Sequence, residues 1–256
     1  MKNHAVFILA KNVFDDARHS RVLYIAFGFA VTLILFSYFL GQVSLNQDIK
    51  VVKDLGLATI SLLGVFVAIY LSVNTLFQEV KHRTIYTIIS KPLRRHEVVI
   101  GKFLGMALVL LVVVALMSFV LYLVIGIQEF SFDYRLFPAL FLIYIEMLIV
   151  ASFGLVFSSF SSPFLSGFFT FGIFLIGRVS FELGQFGARS KNELFKFFAT
   201  GIQKTFDLAG FNLRSEVVHG LPIYREDILF PVAYAAALIL VCMLISAMAF
   251  ERRDFK

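Results

Sequence analysis

Six stretches of this chain are apolar for long enough to cross a lipid bilayer, and few folds other than a membrane bundle can hide so many. They run over about 22–40, 57–77, 103–125, 136–157, 164–179 and 228–250. A hydrocarbon core of about 30 Å needs roughly 20 apolar residues in helical form, because only a helix or a closed barrel satisfies its own backbone there. Composition agrees: 59% of the 256 residues are hydrophobic and 16% charged, against about 25% charged in soluble domains. The spacing predicts an all-α polytopic membrane protein, with residues 1–256 forming one transmembrane domain. The fifth stretch is the weakest, and Arg178 is expected to cut it short.

Lysine and arginine set the expected orientation, since they accumulate on the cytoplasmic side. With the N-terminus inside, the inner segments hold Lys2, Lys11, Arg18 and Arg21, then Lys81, Arg83, Lys91, Arg94, Arg95 and Lys102, then Arg252, Arg253 and Lys256. The short outer loops hold Lys50, Lys53 and Arg135. The loop after the fifth span carries more, but long loops cross largely regardless of charge. The expectation is N-in and C-in. On this reading the net charge of +6 serves topology and does not indicate nucleic-acid binding.

Three segments outside the spans are informative. Over 5–17, Val6, Ala10, Val13 and Ala17 share a helical face opposite Lys11, Asp15 and Arg18, which fits an interfacial helix on the inner surface or an ordinary flanking segment. Between spans two and three, residues 79–90 can form a helix that stops at Lys91-Pro92, because proline cannot continue one. It is either a coupling helix that takes a push from a soluble motor or a solvated basic loop. Between spans five and six, Leu194, Phe197, Phe198, Ile202 and Phe206 form an apolar face. They predict a short amphipathic external helix on or in the outer leaflet, or packed against the spans.

Catalytic patterns fail at defined positions. A phosphate-binding loop needs G-x-x-x-x-G-K-[ST]; before Gly101-Lys102 the first glycine is replaced by His96, and Phe103 follows. His96-Glu97 opens like a zinc-protease helix, but Ile100 stands in place of the second histidine. Cys242 is the single cysteine, so no intrachain disulfide or cysteine cluster forms. The expectation is no enzyme, and no cofactor or metal in this chain. Inside the spans, Glu146 is the one carboxylate near a midpoint. Burying it is expensive, so it must face the bundle interior or a polar cavity, as a substrate-path or proton-linked group or as a packing element. Asn74, near the end of span two, is the other candidate intramembrane polar group. Gly101 and Gly105 form a G-x-x-x-G pair that favours close helix approach.

The run Gln78-Glu79-Val80-Lys81-His82-Arg83-Thr84-Ile85-Tyr86-Thr87-Ile88-Ile89-Ser90-Lys91-Pro92-Leu93-Arg94-Arg95-His96-Glu97, followed by Gly101-Lys102-Phe103-Leu104-Gly105, resembles the permease subunits of type-2 ABC exporters, the ABC-2-type family. That family shows a Glu, a Thr with an apolar pair, then a Pro, a basic residue and a Gly-Lys entering span three. The stretches 211–220 and 250–255 are similar to its last external segment and cytoplasmic tail. The chain is also similar to the branch that holds copper-processing and gliding-motility permeases. The resemblance implies a pair of permeases (homodimer or related heterodimer) in a bacterial inner membrane, with two copies of a separate ABC ATPase that supplies ATP and Mg2+. It implies that Glu79, Lys81, Arg83, Thr84 and Thr87 couple to the ATPase and that Lys91, Pro92 and Arg94 position the loop. Export is the implied direction. A secondary transporter would need matched interrupted helices around a midplane site, and a mechanotransmitting scaffold would carry a large external domain.

Overall fold

A computed structural model of the protein describes residues 2–43, 48–82, 95–129, 133–189 and 192–252. In chain order these form α1 (Lys2–Arg18), α2 (Arg21–Val43), α3 (Asp48–His82), α4 (Arg95–Glu129), α5 (Leu136–Phe160), α6 (Pro163–Arg189), α7 (Glu193–Thr205), a 3-10 turn (Ala209–Phe211), α8 (Arg214–His219) and α9 (Glu226–Arg252). No strand occurs among the described residues. Five of the helices are long and apolar enough to cross a membrane, over Asp48–Thr75, Glu97–Gln128, Leu136–Phe160, Pro163–Arg189 and Glu226–Ala249. The pair Phe7–Arg18 and Leu23–Phe39, bent by 61°, makes a sixth if taken as one span.

Small residues decide which helices meet. In lipid there is no hydrophobic drive between spans, so close backbone approach and interhelical hydrogen bonds must supply it. On α3, Gly64 leaves room for Met147 of α5, and Ser72 fills the space over Gly154 of the same helix. Gly56 receives Leu121 of α4. Along α5, Ala151, Ser152, Gly154 and Ser158 are all buried, so this helix forms the centre. At the rim, α9 touches α5 through a narrow seam of Ala235, Cys242 and Ser246, which are buried, and the Ser246 hydroxyl donates to the Leu155 carbonyl at 3.5 Å. The rest of α9 exposes Leu229, Phe230, Leu240 and Leu244.

One sequence expectation changes. The α6 helix does not end at Arg178 but runs on to Arg189, because that side chain turns inward to a partner. The apolar face of α1 is covered by α4. Ala10, Val13 and Ala17 are buried, and Gly105 of α4 lies so close that a Cβ there would meet the Ala10 carbonyl at 2.7 Å. Glu79 and Lys81 belong to the last turns of α3, continuous with the span; the rest of the helix expected over 79–90 lies outside the described residues.

The helix predicted between the fifth and sixth spans exists as α7, with Asn192 capping its first turn through Leu194 N–H at 3.1 Å. Its contact side is not the Phe-rich face. Gly187 and Gly184 of α6 lie against Ala199 and Gln203, while Leu194, Phe197 and Phe198 point outward, 71%, 75% and 64% exposed. α7 therefore folds back along the upper half of α6 like the second arm of a hairpin.

Candidate functional site: a buried ion pair under an irregular strap

Glu146 lies near the midpoint of α5 and is wholly buried. Arg178 of α6 donates from Nη1 to Glu146 Oε1 at 2.8 Å. From α3, the Ser61 hydroxyl donates to Glu146 Oε2 at 3.3 Å. Each carboxylate oxygen thus has a donor from a different helix, and the central three helices are tied at one level. A charge inside a membrane protein is tolerated when it is paired and bonded in this way.

The chain returns to that level after α7. The Leu208 N–H donates to the Gly177 carbonyl at 3.2 Å, and the Leu208 side chain fills the space over Gly177, next to Arg178. From there an irregular strap climbs away. Phe211 is buried with its ring 6.3 Å from that of Tyr234, and Arg214 Nε pairs with Asp54 Oδ1 at 2.6 Å. Beneath the strap, a crevice lined by Ser61, Ile143, Arg178, Phe211, Asn212 and Arg214 has about 10 Å³ of free space, the room of about one water molecule. Non-helical backbone at such depth is tolerated where it is packed in protein or lines a hydrated cavity.

A second ion pair holds the same end of the bundle. Lys53 Nζ donates to Asp133 Oδ2 at 2.7 Å. Burial pushes the Asp133 carboxyl up, but the Lys53 hydrogen bond, the Arg135 backbone N–H and both positive charges outweigh it, leaving the group below the usual carboxylate range.

Asn74 is not part of the ion-pair site. It stands 13 residues from Ser61 on α3, about 20 Å along the helix axis. It lines a different groove of about 410 Å³ between α3 and α6, with Tyr70, Val73, Phe164, Gly167 and Phe168. Of the coupling set, Glu79 and Lys81 are placed on α3, whereas Arg83, Thr84, Thr87, Lys91, Pro92 and Arg94 lie outside the described residues. Arg178 was missed as a functional residue. The signal was a second intramembrane charge, opposite in sign to Glu146, which the sequence reading took for a helix end.

A bundle of five to six apolar helices around a paired intramembrane charge defines a multi-pass membrane protein. The family model for ABC-2 family transporter proteins matches residues 7–255, nearly the whole chain, and the chain belongs to that family. It is accordingly a permease subunit of an ABC transporter, a membrane transport component, and the family implies an ABC ATPase partner in general. Compared with curated proteins, the chain matches none.

Proposed function

We propose that this chain is the membrane half of an ATP-driven exporter of a bacterial inner membrane, working as a pair of permeases above two separate ATPase subunits. The observation that carries the reading is the pair of 35-residue helices, α3 and α4, that flank residues 83–94. At 1.5 Å per residue each is about 52 Å long, far beyond a hydrocarbon core of about 30 Å. The excess on α3 begins after Thr75 and carries Glu79 and Lys81. A rigid stalk continuous with the span would move the span when a docked motor moves the stalk. With N-in and C-in orientation, the basic segment 79–95 meets the cytosol, where an ATPase holding ATP and Mg2+ would dock. Residues Glu79, Lys81, Arg83, Thr84 and Thr87 would contact it, and Lys91, Pro92 and Arg94 would fix the loop.

The open groove beside Asn74 supports lateral entry of an apolar or amphipathic cargo. Its walls are aliphatic and aromatic, with Asn74 and Tyr70 as polar handles. The Glu146–Arg178 pair and its strap would then form the closed outer half of the path.

The test is to purify the tagged chain from its native membrane in mild detergent. The expected result is a stoichiometric P-loop ATPase that is lost when residues 79–90 are scrambled. A chain that purifies alone, or with external partners only, overturns the reading.

A further inference from the structure

We propose that Lys102 ties the end of α3 to α4, so that the two helices flanking residues 83–94 move as one body. Lys102 is 2% exposed, and among the described residues no other lysine or arginine is buried so completely. Its Nζ donates to the backbone carbonyl of Thr75 at 3.0 Å. In a plain helix that carbonyl would accept from within the helix alone; here a charged donor from α4 also reaches it.

The stretch of α3 that Lys102 grips is softened by its own side chains. The Thr75 hydroxyl donates to the Leu71 carbonyl at 2.6 Å and the Ser72 hydroxyl to the Ile69 carbonyl at 2.9 Å. Ser158 of α5 donates to the Ser72 carbonyl at 3.4 Å. Four carbonyls within about two turns therefore take side-chain donors, a pattern that weakens a helix ladder and lets it bend. A stalk that bends at its root absorbs a push and does not pass it on. The bond from Lys102 braces that root against α4. One turn further along α4, Gly105 lies against the backbone of Ala10 and the side chain of Val13 in α1, so α1, α3 and α4 join at one node.

An aliphatic side chain would fill this volume without desolvating a charge. What lysine adds is an ammonium with three donors at the end of a long stem. Lys102 is thus a positioning residue that acts through the Thr75 carbonyl. Its use in coupling rests on the permease reading; the brace itself does not.

The experiment uses the full chain in lipid nanodiscs, without any ATPase, in a Cys242→Ala background. Spin labels at Phe77→Cys on α3 and Ile100→Cys on α4 occupy exposed positions, one on each helix and both between the brace and residues 83–94. The expected result is a narrow distance distribution with Lys102 present, one that roughly doubles in width in Lys102→Met and narrows again in Lys102→Arg. A Lys102→Met distribution that superimposes on the native one overturns the brace, even if thermal stability has dropped. If Lys102→Met does not fold, Lys102→Gln is read in the same way. A native distribution that is already broad overturns the proposal whatever the variants do. Because no ATPase is in the sample, failure here leaves the permease assignment standing.

Discussion

Arg178 on α6 and Glu146 on α5 stand 2.8 Å apart at the middle of the bundle, and each is the reason the other is tolerated there. Arginine inside a span usually marks its end or a functional path. Here the carboxylate removes the reason to stop, and α6 continues for eleven residues beyond it.

Breaking that pair should hurt more than deleting it. Arg178→Met leaves a buried carboxylate with Ser61 as its remaining donor and should cost about 3 kcal/mol, since stranding one partner of a buried pair costs roughly 3–5 and the Arg178 side chain keeps 27% of its exposure. The double variant Glu146→Met with Arg178→Met should recover most of that loss. Thermal unfolding in detergent measures both. A double variant as unstable as the single one would show that the pair is not the energetic unit.

Gly105 and Gly126 make a matched comparison on one helix. At Gly105 a methyl group would meet the Ala10 carbonyl and the Val13 Cβ, each at 2.7 Å, and the first of these is backbone that cannot swing away. Gly105→Ala should therefore push α1 off α4 and lower stability by about 1–3 kcal/mol, as overpacking does. Gly126 has nothing within 4 Å of that position, so Gly126→Ala should be neutral or gain up to about 1 kcal/mol from helix propensity. Limited proteolysis of the α1 segment, set beside the melting temperatures, checks that it is α1 that loosens.

Acid should weaken the end of the bundle held by the Lys53–Asp133 pair. Its carboxyl is held below the ordinary value in the folded chain, so unfolding takes up a proton when the pH lies between the folded and unfolded values. The stabilisation is complete above the unfolded value of about 3.9 and is lost as the pH falls through the folded value. Melting temperature measured from pH 6 down to pH 3 should fall at the acid end, and Asp133→Asn should flatten that limb. An unchanged limb in Asp133→Asn assigns the acid sensitivity to other groups.

Charge reversal in the basic segment between α3 and α4 addresses coupling. Arg83→Glu should leave membrane insertion intact while separating ATP hydrolysis from transport in the reconstituted complex. Transport at the native rate by that variant would remove Arg83 from the coupling set.

Much of the architecture was legible because the bilayer imposes a length on every span. The run at 136–157 needed no partner to be read as a helix, and α5 covers Leu136–Phe160. The G-x-x-x-G spacing also pointed correctly at close approach, but not at the partner. What Gly105 touches is α1, a helix more than ninety residues earlier in the chain. The interruption at Arg178 misled for a related reason. A charge read within its own helix looks like a terminus, and its partner Glu146 lies 32 residues away on a different element.

The sequence by itself determined the solvent this protein lives in, its all-helical build from long apolar segments and the basic segment beside α3 and α4. All of these follow from local hydrophobic length and charge, which each segment carries alone. The tertiary structure decided which polar groups meet: Glu146 with Arg178 and Ser61, Arg214 with Asp54, Lys102 with the Thr75 carbonyl. It also turned the Phe-rich face of α7 outward. Pairings of this kind depend on how helices rotate and cross, and that is set by small residues permitting backbones to touch, a property of two surfaces together that neither stretch of sequence carries by itself.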